Sequence, residues 1–407
     1  MAPVARAARA RYSQPVWRIL LHSLIFGLAL SIADLLFNFY LVSLGYGADT
    51  AGLLSTVARA AGMLMGLPIG VLIDRLGPQR ALVIGVVLFA AGWVMLLQAT
   101  ALPALVGAQF VVGAAYLLAA TAVTPLLINV TPDRQRAAVL GMNASATLII
   151  GLLGSVLGGM LPGLAAAAAG VAAQSTDAYR LALAAVVALG VAALLPVLGP
   201  LAALPEPRVG PAGEAAPERR LPTTRLLRFA LAALLLGIAG GCILPFQNLF
   251  FRETFALSDA AVGVALAVAA LGAGLGALLG APVTGRVGLR RGAALLRLGA
   301  VPAMLLMLTP ALLPAAAGFF LRGLFVAASY PMNDALVMRA TPPRQRGMAM
   351  SIMSVLWAGG WAASAALAGL VRAQTGSFGP AIAAAALCYV LSAVAIATLP
   401  VSDEEAK

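Results

Sequence analysis

The sequence predicts an all-α polytopic membrane protein with twelve transmembrane helices arranged as two pseudo-symmetric six-helix bundles. Three observations carry this. The 407 residues are 62% hydrophobic and only 10% charged, with a mean hydropathy of +1.00. A water-soluble domain of that composition would leave far too much apolar surface in water. The apolar residues fall in uniform runs of about 20 or more, long enough to span a bilayer as helices. They lack the alternation over roughly 10 residues that marks a membrane β-barrel. Finally, the string TPDRQR at Thr131–Arg136 returns as TPPRQR at Thr341–Arg346, 210 positions later.

Each segment is placed by its apolar run and its punctuation. Segment 1 (17–44) follows the basic stretch MAPVARAARARYSQPVWR; it is too long for a signal-peptide core, so it is expected to be a retained helix. Segment 2 (50–73) runs into Asp74 and Arg75, and segment 3 (81–100) starts after Arg80. Segment 4 (103–129) stops at the first TPxRQR, and segment 5 (137–163) begins just beyond it. Segment 6 (178–201) leads to PEPRVGPAGEAAPERRLPTT, a Pro- and charge-rich linker. Segment 7 (225–251) contains Pro245, which predicts a kink with exposed carbonyls. Segment 8 (259–283) carries GAGLG; with no strand before it, this is not a dinucleotide fingerprint. Segments 9 (292–312) and 10 (314–339) lead to the second TPxRQR, and segments 11 (347–371) and 12 (379–400) complete the count. The domains are therefore an N-terminal bundle (1–204), a linker (205–224) and a C-terminal bundle (225–407).

The halves are parallel repeats. At the offset of the TPxRQR pair, Asn38-Phe39-Tyr40 matches Asn248-Leu249-Phe250, and one position further Arg75, Gly77 and Arg80 match Arg286, Gly288 and Arg291. Arginine placement sets orientation. One set of loops holds Arg75, Arg80, Arg134, Arg136, Arg286, Arg290, Arg291, Arg339, Arg344 and Arg346, with those of the N-terminus and linker; the other holds only Arg180, Arg252 and Arg372. Both termini are expected in the cytoplasm, in a bacterial inner membrane. The formal charge of +12 then serves topology and lipid contact, not nucleic acid. Cys242 and Cys388 lie in apolar segments with no metal or disulfide spacing. No cofactor, catalytic group or nucleotide-binding loop is expected, which excludes an enzyme and an ATP-driven pump.

The loop Gly70-Val-Leu-Ile-Asp74-Arg75-Leu-Gly77-Pro-Gln-Arg80 resembles the G-x-x-x-D-R-x-G-x-x-R signature of the major facilitator superfamily, at the family's loop position. It departs in Pro78 and Gln79, where basic residues are usual, and Gly285 replaces the acid in the second half. Gly70 would permit close helix approach and Gly77 a tight turn, while Asp74 would accept hydrogen bonds from Arg75 or Arg80 or cap a helix of the other half. In the family this contact latches the outward-open state. Segment 5, with Gly151, Gly154, Ser155, Gly158 and Gly159, is similar to the antiporters' glycine element, and is expected to pack on a helix of the other half. Gln109 stands where the antiporters carry an arginine.

Ionisable residues inside spans need a partner or a task. Asp34 and Arg59 each lie roughly 14 Å below the outer surface on neighbouring antiparallel segments, so they are expected to pair, with Asp34 taking the coupling proton. Arg322, Ser329 and Asn333 share one face of segment 10, predicting a polar stripe toward a cavity. Asn38, Tyr116, Gln247, Asn248, Tyr330, Trp357 and Trp361 complete a lining suited to an amphipathic ligand. Asp334 is a second gate candidate, and His22 is expected to form an interfacial hydrogen bond. The functional expectation is proton-coupled export of a small amphipathic molecule by a monomer. The alternatives are transport of an anionic solute or lipid through Arg59 and Arg322, and a non-transporting receptor on the same fold.

Overall fold

The computed structural model describes residues 12–201, 223–342 and 345–399. Every regular element among them is helical. The first half contains α1 (Gln14–Ser43), α2 (Ala48–Leu76), α3 (Pro78–Gln98), α4 (Leu102–Asn129), α5 (Asp133–Ala169) and α6 (Thr176–Leu194). The second contains α7 (Thr223–Ile243), α8 (Gln247–Phe255), α9 (Asp259–Val287), α10 (Leu289–Met307), α11 (Leu312–Ala340), α12 (Arg346–Thr375) and α13 (Gly379–Ala397). The linker expected at 205–224 and both chain ends fall outside the described residues, apart from its last two positions at the start of α7. Segment 7 is broken as Pro245 requires, because a short 3-10 turn at Leu244–Phe246 separates α7 from α8. Among the described residues eleven spans are long and apolar enough to cross a membrane. The exception is α10, which carries Arg290, Arg291 and Arg297 within its 19 residues.

The helices form two compact units. One takes α1, the part of α2 from Ala60 onward, and α3 to α6; the other takes Gly45–Arg59 and α7 to α13. In the first, α1 packs on α5 and α6, and α3 on α4 and α6. In the second, α7 packs on α12 and α13, and α10 on α11 and α13, the same pairings displaced by one repeat. The second core gathers Phe229, Ala293, Met332, Leu336 and Ile396.

Side chains repeat along with the helices. Arg18 donates to the carbonyls of Pro196, Gly199 and Pro200 at 2.6, 3.1 and 3.1 Å; Arg228, its counterpart one repeat on, donates to Thr398 O. Gln79 donates to Val197 O and Gly199 O, and its counterpart Arg290 to Leu399 O. Each half thus uses side chains from its first and third spans to satisfy carbonyls past its last helix.

One repeated feature differs between halves. Gly62, Gly66 and Gly70 on α2 correspond to Gly272, Gly276 and Gly280 on α9. On α9 a Cβ at Gly272 or Gly276 would collide with the carbonyls of Phe320 and Leu324 on α11, and at Gly280 with Pro331 Cγ at 2.9 Å. On α2 a Cβ at Gly62 would meet only Leu117 Cδ2 at 3.7 Å, and at Gly66 and Gly70 nothing within 4 Å among the described residues. The GAGLG string is therefore a packing seam. Gly70 makes no close approach here; Gly280 does, which corrects the expectation for that residue.

Candidate functional site

In the N-terminal unit, Asp34 is the exposed residue in a stretch of α1 buried from Ile32 to Leu41. Asn38, one turn on, is buried, and Tyr116 on α4 is 42% exposed. His22 is fully buried and its Nδ1 lies 2.7 Å from Ala193 O. In the signature loop Gly77 has φ +80, as does Gly288 at +79 in the second half, so both turns need glycine. Pro78 occupies the first turn of α3, where a missing N–H costs nothing, and Gln79 holds the carbonyls past α6. Both departures from the family pattern thus have local duties. Asp74, Arg75 and Arg80 are exposed; among the described residues none of the three enters an ion pair.

Within the N-terminal unit, Gly154 and Gly158 of the α5 glycine element pack on α1. A Cβ at Gly154 would lie 2.5 Å from Ser31 Cβ, and one at Gly158 3.3 Å from Ile32 Cα, both on α1. Ser155 donates to Gly151 O inside α5. Small residues marked a tight seam correctly, but periodicity does not say which neighbour fills it.

The C-terminal unit assembles three side chains tightly. The Arg59 guanidinium lies 4.2 Å from the ring centre of Trp361 and 5.3 Å from that of Trp357. The first turns of α2 are seated on α12: Thr56 Oγ1 donates to Ala362 O at 2.6 Å, and Gly52 and Gly369 admit the backbones of Ala365 and Ala48. The two indoles are one helical turn apart. Their backbone is held by α7, where a Cβ at Gly237 or Gly241 would strike the carbonyls of Trp357 and Trp361. A guanidinium over Trp is worth about 0.5–2 kcal/mol depending on desolvation.

The polar stripe on α11 does not line a cavity. Arg322 is buried and donates Nε–H to Tyr389 OH at 3.0 Å. Ser329 is fully buried and donates to Val326 O of its own helix. Asn333 Oδ1 accepts from Arg297 at 2.9 Å. This face packs on α10 and α13, and the exposed face of α11 carries Tyr330 and Asp334 instead. A polar face on a membrane helix can turn toward water or toward another helix's polar groups, and here the latter holds. At the break in segment 7, Gln247 is half-buried, while Asn248 is buried with Oδ1 accepting from Leu249 N.

Arg297 went unremarked in the sequence. It is fully buried, with Nη1 donating to Ser392 Oγ at 2.8 Å and Nη2 to Asn333 at 2.9 Å; Ser392 donates onward to Ala232 O. One side chain on α10 thereby joins α11, α13 and α7. The signal was available, since Arg297 stands alone in segment 9, six residues past the basic pair of the loop.

A family model described as Major Facilitator Superfamily matches residues 19–231 and 229–407. Among solved structures, a D-xylose–proton symporter superposes with TM-score 0.72 at 16% identity, covering 97% of this chain and 99% of that one. A bacterial homologue of the human lysosomal transporter Spinster gives TM-score 0.71 at 20% identity, covering 94% and 93%. The nucleoside transporter NupG gives 0.69 at 14%, covering 96% and 100%. At such identities these likenesses show the fold alone. No curated protein matches the sequence. Duplicated six-helix halves, the D-R-x-G loop turned at Gly77, and a family match over both halves together establish that the chain is an integral membrane protein of the Major Facilitator Superfamily.

Proposed function

We propose that the chain is a secondary active transporter of a small amphipathic molecule, working as a proton-coupled exporter by alternating access. Membership of the superfamily makes it a transporter, not an enzyme. The observation that carries the finer reading is Asp34, an exposed carboxylate in an otherwise buried stretch of a spanning helix. A carboxylate against lipid is costly, so its exposed side argues for water access and hence for a proton path. Arg59 is its proposed counter-charge: protonation of Asp34 releases the arginine, and the difference between states couples the gradient to movement. The D-xylose–proton symporter shares the fold, so the architecture accommodates proton coupling. Asn38, Tyr116, Gln247, Asn248, Tyr330, Trp357 and Trp361 are the proposed lining, with Asp74 and Asp334 as gates. In this proposal both termini and the linker lie in the cytoplasm, the membrane is a bacterial inner membrane, and the transporter acts as a monomer.

The test is flux of a fluorescent amphipath in proteoliposomes with and without a pH gradient. Asp34→Asn abolishes gradient-driven flux while binding stays within about tenfold, or 1.4 kcal/mol. Normal uphill transport by this variant would make Asp34 a structural residue.

A second reading is transport of an anionic solute or lipid. It is favoured by Arg322, buried in the membrane with a tyrosine hydroxyl as partner and, among the described residues, no carboxylate within ion-pair distance. Arg322→Ala would then weaken anion binding while sparing neutral ligands. A receptor on the same fold would show no alternating accessibility under any ligand.

A further inference from the structure

The pair Trp357 and Trp361 already holds a cation of the chain itself, the Arg59 guanidinium. A planar, delocalised cation lies over both rings at 4.2 and 5.3 Å from their centres. Trp361 is buried, and its indole N–H has no hydrogen-bond partner among the described residues, so this ring offers its π face in a dry setting, where attraction to a cation is strongest. The platform is rigid, because Gly237 and Gly241 lock the backbone of both tryptophans to α7. Its occupant is different in kind. Arg59 reaches the rings from α2, whose glycine seam on α4 is slack where the equivalent seam of α9 on α11 is closed.

We propose that Trp357 and Trp361 form the binding site for a delocalised or quaternary organic cation, and that Arg59 is its resident competitor. This names the substrate class of the transport reading and rests on it. An exogenous cation gains the indole faces only by displacing the guanidinium, so ligand entry and release of the first turns of α2 from α12 become one event. The arrangement favours cations with a low hydration cost and an apolar surround, and it rejects anions of the same shape.

The test is equilibrium binding of radiolabelled tetraphenylphosphonium to the purified full chain in nanodiscs, with tetraphenylborate as the anion of matching shape. The expected result is saturable binding of the cation and at least tenfold weaker binding of the anion. Arg59→Ala tightens the cation about tenfold. Trp361→Ala weakens it at least tenfold, and Trp361→Phe, which keeps a weaker π face, falls between. The decisive arm is the double variant: in Trp361→Ala, removal of Arg59 brings little further gain, because the site it guarded is gone. An undiminished gain there would mean that Arg59 acts only through general charge, and would overturn the proposal. So would equal binding of the two probes, or no saturable cation binding by any variant. Tighter binding of the borate would instead favour the Arg322 reading. Binding is measured without a gradient, so failure of proton-driven flux leaves this result standing, and the converse also holds.

Discussion

At the scale of single residues, Arg297 shows how a charge is kept inside a membrane protein. Its guanidinium is divided between Ser392 and Asn333, and the fork geometry allows both bonds from one rigid group. Removing it strands one buried acceptor, Ser392, and one half-buried acceptor, Asn333, and leaves a cavity. Arg297→Ala is therefore expected to lower stability by roughly 2–4 kcal/mol, read as a shift in denaturation midpoint in mixed micelles. Arg297→Lys should recover little, because an ammonium cannot span the two acceptors. Full recovery by lysine would show that charge alone matters. The residue also marks a limit of sequence reading. Asp34, Arg59 and Arg322 stand out because each interrupts a long apolar run, whereas Arg297 sits near a basic loop and reads as its tail. Only the fold reveals that it turns inward.

At the scale of elements, all twelve segments, the break at Pro245 and the turns at Gly77 and Gly288 were legible, because hydrophobic length and glycine's freedom at positive φ are local properties. Partner choice was not legible. The α5 glycines seat α1 of their own half, and the α11 stripe faces α10 and α13; both depend on where neighbouring helices lie. The glycine seams give a prediction with opposite signs at equivalent positions. Gly276→Ala should destabilise by about 1–3 kcal/mol, since its Cβ would strike Leu324 O on α11. Gly66→Ala, with nothing within 4 Å, should leave stability unchanged or raise it by about 0.5–1 kcal/mol through helix propensity. Matching losses at both positions would mean that the α2 seam is closed in solution.

At the scale of the whole molecule, duplication and charge asymmetry set the expected topology. Each of the three arginines on the sparsely charged side has an acidic partner: Arg180 with Asp177, Arg252 with Asp259 and Arg372 with Glu253, at 3.7, 3.6 and 2.6 Å. In the other set of loops and helix ends Arg18, Arg228 and Arg290 cap carbonyls. A single cysteine placed at Ala215, with Cys242 and Cys388 replaced by alanine, should resist an impermeant maleimide in intact cells and react after permeabilisation. Labelling from outside would reverse the assigned orientation. Asp74→Asn should widen the spin-label distance distribution between the cytoplasmic ends of the two halves, given about 1.5–3 kcal/mol for a charge-assisted contact. Unchanged distances would leave that loop a topological marker only.

The slack seam of α2 has a consequence for the lifetime of its backbone hydrogen bonds. Three interior glycines cost a helix about 1 kcal/mol each relative to alanine, and on α9 close packing against α11 offsets that cost. On α2 little does, and Pro68, in the same stretch, removes one more bond from the ladder. Local opening should therefore be cheaper in α2 than in its twin. Deuterium uptake between Gly62 and Gly70 should run ahead of uptake between Gly272 and Gly280, and a delocalised cation bound at the indoles should widen the gap by freeing the turns that precede it.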